Sequence, residues 1–191
     1  RHDNGTVLVG TKGAGIQLLD QKKEKVMDVI TQNDGLSSNA VYCMRKNKYG
    51  DIFIGTDGFG LDYLSRNDKK IKHLKLPDNT LNFKSIYSIV FTNNDSLLWL
   101  GTSGEGLIKI ELYRNSNNYR VKSVRQYRAS DAKNSLSYNT IYTIVSDERN
   151  KSLWLGTRGG GVNKFDIENE RFEQINLDNN DILVLAKGNR D

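Results

Sequence analysis

Short apolar runs separated by polar, glycine-rich turns follow one another along the whole chain. One run recurs four times, as Leu8-Val9-Gly10-Thr11, Phe53-Ile54-Gly55-Thr56, Trp99-Leu100-Gly101-Thr102 and Trp154-Leu155-Gly156-Thr157. Short runs of apolar and β-branched residues between turn signals are typical of strands. The pattern therefore predicts an all-β protein of four repeats, at approximately 5–49, 50–95, 96–150 and 151–191.

Two further phrases accompany each copy of this run. A glycine turn follows the threonine at Gly13-Ala14-Gly15, Gly58-Phe59-Gly60, Gly104-Glu105-Gly106 and Gly159-Gly160-Gly161. Such turns in hairpins require a positive φ, whereas a phosphate-binding loop would precede a helix. A polar turn leads into the next strand at 36–42, 81–87 and 136–142, with a degenerate version at 180–185. Each unit is thus predicted to contain four antiparallel strands.

The spacing of the repeats indicates the architecture. Gly10, Gly55, Gly101 and Gly156 stand 45, 46 and 55 positions apart, the last interval being lengthened around 113–120. These periods match the four-stranded blades of a β-propeller. In the second unit the strands are predicted near 41–45, 51–56, 60–64 and 70–75, with the first of them innermost. We expect a single partial propeller over 1–191.

Two residue types in the predicted strands invite a chemical interpretation. Trp99 and Trp154 lie inside the repeated run, which favours packing between blades over a platform for stacking carbohydrate. Cys43 occupies the same innermost-strand position as Ser88 and Thr143. Small side chains suit a crowded channel wall, so a structural role is favoured over that of a reactive thiol.

Composition narrows the class of function. Of the 191 residues, 28 are Lys or Arg and 23 are Asp or Glu, giving a net charge of +5 that mildly favours acidic partners. The sequence contains no stripe of basic residues interleaved with aromatic ones, so it does not predict nucleic-acid binding. His2 and His73 are poorly placed for catalysis, and no His, Cys and carboxylate grouping has metal-ligand spacing. We therefore expect neither an enzyme nor a cofactor or metal site.

The run, its glycine turn and the incoming phrase together resemble the two-component regulator propeller repeat. The match covers nearly the whole chain and is best at 150–166, where 152–162 reads Ser-Leu-Trp-Leu-Gly-Thr-Arg-Gly-Gly-Gly-Val. The resemblance implies part of the periplasmic sensor region of a hybrid two-component system, an inner-membrane protein of Bacteroides-type bacteria with its histidine kinase elsewhere. It also implies seven-bladed rings, contacts with the remaining blades and domains of the same receptor, and a homodimer.

The strands at which the chain begins and ends within its repeats indicate how much of a propeller ring it contains. The chain opens on a second strand near Val7 and closes on an innermost strand near Ile182. We expect four blades of a larger ring, since the sequence contains no kinase, receiver, membrane span or signal peptide. The alternative is a closed ring of four blades, in which the C-terminal strand completes the first blade.

The repeats also predict where a ligand would bind. The glycine turns and the incoming loops should emerge on one rim, where repeat proteins commonly vary their residues. The ligand-binding candidates are Lys12, Asp57, Ser103 and Arg158 beside the turns, and Ser38, Ser85, Tyr138 and Asn139 in the loops. Cationic groups pair with carboxylates or sulfates, and amide and phenol groups with hydroxyls. The predicted function is sensing of an oligosaccharide, with acidic ones favoured. The alternative is a propeller that positions or dimerises the receptor without binding a ligand itself.

Overall fold

The computed structural model describes residues 5–58, 60–76 and 85–188. Phe59 of the second glycine turn and residues 81–84 of the second incoming loop, both quoted above, lie outside these ranges. Within them, fifteen strands form four antiparallel sheets, and each sheet follows chain order from one strand to the next. No helix in these ranges is long and apolar enough to cross a bilayer.

The first sheet has three strands and the other three have four. The first sheet contains β1 (Thr6–Gly10), β2 (Ile16–Asp20) and β3 (Lys25–Ile30). The second contains β4 (Val41–Lys46), β5 (Ile52–Thr56), β6 (Leu61–Leu64) and β7 (Ile71–His73). The third contains β8 (Ile86–Thr92), β9 (Leu97–Thr102), β10 (Leu107–Asn115) and β11 (Asn118–Tyr127). The fourth contains β12 (Ile141–Asp147), β13 (Ser152–Thr157), β14 (Val162–Asp166) and β15 (Arg171–Ile175). A short 3-10 turn, Gln32–Asp34, joins the first two sheets.

The sheets are arranged as the repeats predict. Their innermost strands β4, β8 and β12 contact one another in order, so the sheets stand side by side as blades around one axis. The all-β propeller prediction is confirmed. The outer strand β7 is shorter than the expected 70–75, although the Ser65 N–H donates to the Lys70 carbonyl at 3.0 Å just before it begins.

Apolar clusters fill the spaces between neighbouring blades. Ile16 and Ile54 belong to the cluster between the first two, Phe53 and Leu100 to the next, and Trp99 to the last. Strands buried on both faces carry such unbroken apolar runs.

The two tryptophans of the repeated run differ in burial. Trp99 is fully buried, which confirms the packing interpretation for this residue. Trp154, its equivalent in the fourth blade, is only partly buried, and its ring lies beneath the Lys164 ammonium at 5.6 Å. Its face of the blade borders a shallow cleft lined by Val145 and Leu185. The difference arises because the described residues contain no further blade to cover this face.

The glycine of the repeated run lies where the next blade approaches most closely. A Cβ on Gly55 would stand 2.5 Å from the Cys43 Sγ and 2.7 Å from the Ile86 carbonyl oxygen. On Gly101 it would stand 2.9 Å from Cγ2 of Ile141. Contacts this short force backbone shifts in a packed interior. Glycine in the run is therefore a requirement of blade packing.

Cys43 is a packing residue at this contact. Its Sγ donates to the Ile86 carbonyl at 3.5 Å, and burial raises the pKa of the thiol to about 12. Because the thiolate is the reactive form, a thiol with so high a pKa is inert near neutral pH.

The C-terminal segment enters the fold as a fifth innermost strand would. The Ile182 N–H donates to the Thr157 carbonyl at 2.9 Å, as the Val41 N–H does to Thr11 at 2.8 Å. Beyond Ile182, residues 183–188 form no strand, and nothing in the described residues pairs with the free inner edge of β1. The described residues therefore do not form a closed ring of four blades.

A long hairpin binds the third blade to the second. The lengthened interval of the sequence corresponds to β10 and β11, which extend past their own sheet. The Tyr119 hydroxyl donates to the buried Asp51 Oδ2 at 2.5 Å and accepts from the Asn47 Nδ2 at 2.6 Å. On the other side of the third blade, the Tyr127 hydroxyl donates to the Glu170 Oε1 at 2.8 Å. Partly buried tyrosine–carboxylate bonds thus link three consecutive blades.

The glycine contact predicts a large effect of one methyl group. Gly55→Ala should lower the free energy of unfolding by about 1–3 kcal/mol, the usual cost of overpacking. Gly188→Ala is the matched control, because no atom lies within 4 Å of a Cβ built there. Urea unfolding followed by tryptophan fluorescence measures both. Equal losses in the two variants would contradict a close approach at Gly55.

The tyrosine–carboxylate bonds predict a loss of stability in alkali. Burial, together with the bonds to Asp51 and Glu170, raises the pKa of Tyr119 and Tyr127 above the 10.0 of a free tyrosine. Their contribution is complete below about pH 10, and it is lost as the pH rises toward the folded-state values, since the unfolded chain releases the protons first.

Tyr127→Phe tests this pH dependence. The variant should be less stable at neutral pH, and its unfolding free energy should fall less steeply above about pH 10 than that of the wild type. Tyr113→Phe, whose side chain is exposed, serves as the control and should match the wild type. Urea unfolding at several pH values provides the measurement, and parallel declines in wild type and Tyr127→Phe would contradict it.

Candidate functional site

Each glycine turn lies beside the loop that enters the next blade. Isolated bridges join the residue after the threonine of one blade to the incoming loop of the next, as the pairs Lys12–Ala40, Asp57–Ser85, Ser103–Thr140 and Arg158–Asp181. Both sets of loops therefore emerge on one face, as the repeats predict. We call this face the loop rim.

Backbone hydrogen bonds fix the shape of the loop rim. The N–H groups of Gly104 and Gly106 both donate to the Asn139 carbonyl, at 3.1 and 2.8 Å. Gly106 has a φ of 78°, and a Cβ there would meet the Tyr127 carbonyl at 2.1 Å, so only glycine fits. The Thr102 Oγ1 donates to the Gly106 carbonyl at 2.8 Å and closes the turn. The repeated Thr and Gly thus build a rigid turn that presents the residue between them.

The predicted site residues fall into three groups on the loop rim. Lys12, Asp57, Arg158 and Tyr138 are exposed, Ser38, Ser103 and Asn139 are partly buried, and Ser85 is buried. The structure brings the four residues beside the glycine turns to equivalent positions on four consecutive blades. Those of the incoming loops stand next to them, so all eight belong to one surface.

Some of these side chains already have partners in the fold. The Asn139 Oδ1 accepts from the Ala129 N–H at 2.7 Å, and the Ser38 Oγ accepts from the Ala40 N–H at 3.2 Å. Within the described ranges, neither Lys12 nor Arg158 forms an ion pair. The two cations are therefore the side chains of the loop rim with the most freedom to meet an outside group.

Asp57 joins two blades at the rim. Its Oδ1 accepts from the Ser85 Oγ at 2.5 Å, and this bond links the second blade to the third. Burial and the negative charge of the nearby Asp57 raise the pKa of Tyr42. Tyr42 and Asp57 therefore lie close to one another on the rim.

Three tyrosines absent from the predicted site form an arc along the innermost strands. Tyr42, Tyr87 and Tyr142 follow the first residue of β4, β8 and β12, and the ladder register shifts at each of them. Their ring centroids lie 5.0 Å apart for Tyr42 and Tyr87 and 5.3 Å apart for Tyr87 and Tyr142. The sequence signal that could have identified them is the recurrence of tyrosine at the same position of each incoming phrase.

One Ser, His and Asp cluster lies at the outer part of the rim. The Asp62 Oδ1 lies 2.6 Å from the Ser37 Oγ and 2.7 Å from the His73 Nδ1. Serine and histidine thus share one carboxylate oxygen, so the imidazole does not stand between them as a relay would require. In the fourth blade Asn163 contacts Ser137 in the same way, with its Nδ2 2.6 Å from the Ser137 Oγ. The cluster anchors an incoming loop to its blade.

The bond to Ala129 predicts a structural role for Asn139. Asn139→Ala should lower the free energy of unfolding by about 1 kcal/mol, because it leaves the Ala129 N–H without its acceptor. Tyr138→Ala, at the exposed neighbouring position, should change it by less than about 0.5 kcal/mol. Urea unfolding compares the two, and an Asn139 variant as stable as the wild type would show that the bond contributes nothing.

Comparison with known proteins relates this architecture to solved structures. No family model matches the chain, and no curated protein matches it in sequence. The extracellular domain of BT4673 from B. thetaiotaomicron, described as a hybrid two-component system, is 19% identical with a TM-score of 0.70. The alignment covers 92% of this chain and 24% of that one. The corresponding domain of BT3049 is 25% identical with a TM-score of 0.61, covering 94% and 21%.

An enzyme shares the architecture as well. XC5397, a gluconolactonase of Xanthomonas campestris, is 12% identical with a TM-score of 0.64, and the alignment covers 92% of this chain and 60% of that one. Similarity at this level shows the fold alone, and one fold supports many functions. The chain spans about a quarter of the B. thetaiotaomicron domains it matches. It is a β-propeller chain with the fold of extracellular domains from Bacteroides two-component systems, the group to which its repeated motif points.

Proposed function

We propose that this chain is a ligand-sensing module of an extracytoplasmic receptor and that it recognises an oligosaccharide on the loop rim. The observation that carries the proposal is the series of bridges that sets the varied residue after each threonine beside the incoming loop of the next blade, all on one face. The likeness to extracellular domains of hybrid two-component systems supports a sensor role. In such a receptor the module lies in the periplasm, outside the inner membrane.

The charges of the rim favour an acidic ligand. Lys12 and Arg158 are exposed, belong to the first and fourth blades, and have no ion-pair partner among the described residues. The acidic neighbour Glu105 is already paired, since its Oε2 lies 2.5 Å from the Arg128 Nη1. A carboxylate or sulfate on a sugar could pair with Lys12 on the first blade or with Arg158 on the fourth.

Binding would be converted to a signal through the equilibrium of the whole receptor. In this proposal the receptor is a homodimer whose two conformations differ in their affinity for the oligosaccharide. A ligand shifts such an equilibrium only by its differential affinity for the two states. The loop rim suits this role because each bridge spans two blades, so a ligand seated there contacts more than one rigid unit.

Calorimetry on the 191-residue chain tests the proposal. The probes are an oligogalacturonate, a sulfated oligosaccharide and a neutral malto-oligosaccharide. We expect an acidic probe to bind, with an affinity that falls as salt is added. The double variant Lys12→Ala/Arg158→Ala should weaken that binding by roughly fivefold at low salt.

The control removes the same charge elsewhere. Lys22→Ala/Lys23→Ala changes two exposed lysines in the turn between β2 and β3 and should leave the affinity unchanged. Equal weakening by both double variants would mean that net charge, and not the rim, attracts the probe. No heat with any of the three probes would overturn direct oligosaccharide binding and favour a propeller that only positions or dimerises the receptor.

A further inference from the structure

The tyrosine arc, Tyr42, Tyr87 and Tyr142, lies on three β-bulges. In each of β4, β8 and β12 the residue before the tyrosine pairs with the strand alongside, the tyrosine is left out of register, and pairing resumes at the next residue. A bulge interrupts the ladder and re-aims a side chain, and such features gather at functional sites. Strand formation does not require a tyrosine on each of three equivalent bulges, so we consider a binding role for these side chains.

The three tyrosines of the arc are not part of the apolar core. All three tyrosines are only partly buried, and none belongs to the apolar clusters between blades. The residues before them, such as Val41 and Ile86, are buried and fill that space instead. Tyr42 and Tyr87 meet edge to face at 78°, a geometry that leaves ring faces uncovered by the neighbouring tyrosine.

The arc has a polar border. Tyr42 lies near the negatively charged Asp57, whose Oδ1 accepts from the Ser85 hydroxyl at 2.5 Å. Ser103 and Arg158 hold the positions equivalent to Asp57 on the next two blades. Aromatic faces bordered by a few fixed polar groups are the usual composition of a small-molecule site.

The charges beside the arc decide between two classes of ligand. An aromatic arc can receive a cation or the apolar face of a neutral ring. Lys12 and Arg158 lie on the same rim and form no ion pair among the described residues, so their repulsion offsets the attraction that Asp57 would exert on a cationic ligand. A sugar ring would find both an apolar surface and hydrogen-bonding groups without this repulsion.

We propose that Tyr42, Tyr87 and Tyr142 form the subsite at which one sugar ring of the oligosaccharide packs, with Tyr87 in direct contact with it. This inference rests on the proposed function, because it names the part of the loop rim that binds the non-ionic portion of the ligand. Tyr87 is the central residue, since it contacts both of the other rings.

Variants at Tyr87 test the subsite with the same three probes. Tyr87→Ala should weaken binding by roughly fivefold to tenfold, whereas Tyr87→Phe, which keeps the ring, should stay within about twofold of the wild type. Tyr113→Ala is the matched control, because Tyr113 is exposed on the β10–β11 hairpin away from the arc. Circular dichroism of each variant verifies the fold.

A measurement on the unaltered chain covers the case in which Tyr87→Ala does not fold. Nitration by tetranitromethane, mapped by mass spectrometry, should be slowed at Tyr87 by a bound probe and unchanged at Tyr113. The subsite would be overturned if the wild type binds a probe, the folded Tyr87→Ala variant binds it equally well, and the probe does not protect Tyr87 from nitration. The proposed function would then still stand. Absence of binding by the wild type to all three probes would overturn both.

Discussion

The architecture depends on one steric constraint, the missing side chain where each blade meets the next. The Ile86, Ile141 and Ile182 carbonyl oxygens would lie 2.7 to 3.0 Å from a Cβ on the repeated glycine of the preceding blade. This contact sets how closely consecutive blades pack and where each innermost strand begins. The large apolar residues around it, Phe53 and Trp99 among them, then fill the remaining space between the sheets. Close contact at the axis and bulky packing further out together give the sheets their radial arrangement.

The same contact accounts for the position of the candidate site. Because the innermost strand enters beside the glycine, the incoming loop lies against the glycine turn of the preceding blade and bonds to it through the backbone. These backbone bonds do not involve the side chain after the threonine, so Lys, Asp, Ser and Arg can occupy that position in turn. The scaffold is repeated, whereas the chemistry of the rim varies from blade to blade.

Polar contacts between blades, which are not part of the repeated motif, also hold neighbouring blades together. The long β10–β11 hairpin carries Tyr119 to the buried Asp51 of the second blade, and Tyr127 reaches Glu170 of the fourth. Asp51 is buried, and a buried carboxylate without a partner is costly, so its bond to Tyr119 favours one arrangement of the second and third blades. A site spread over several blades, such as the tyrosine arc, needs blades that hold their relative positions.

The sequence by itself determined the repeat, the strand order and the shared rim. Each of these follows from local signals: an apolar run predicts a strand, a pair of glycines after it predicts a turn, and four copies of the run predict four equivalent sheets. Gly55 and Gly106 could be assigned to strand and turn in this way. Trp99 could be assigned to the core because the run that contains it is apolar on both faces.

Only the tertiary structure decided which repeated residues face the axis and which already have partners. The pattern of apolar and polar residues does not reveal a one-residue register shift. The recurrence of tyrosine at 42, 87 and 142 therefore did not show that these residues lie on bulges. Asn139 carries the same amide whether it faces a ligand or holds Ala129, and only its 2.7 Å bond shows the latter. Trp99 and Trp154 share one motif but differ in burial, because burial depends on the neighbouring blade. Local sequence encodes the conformation of each strand and turn, whereas these properties arise from contacts between residues far apart in the chain.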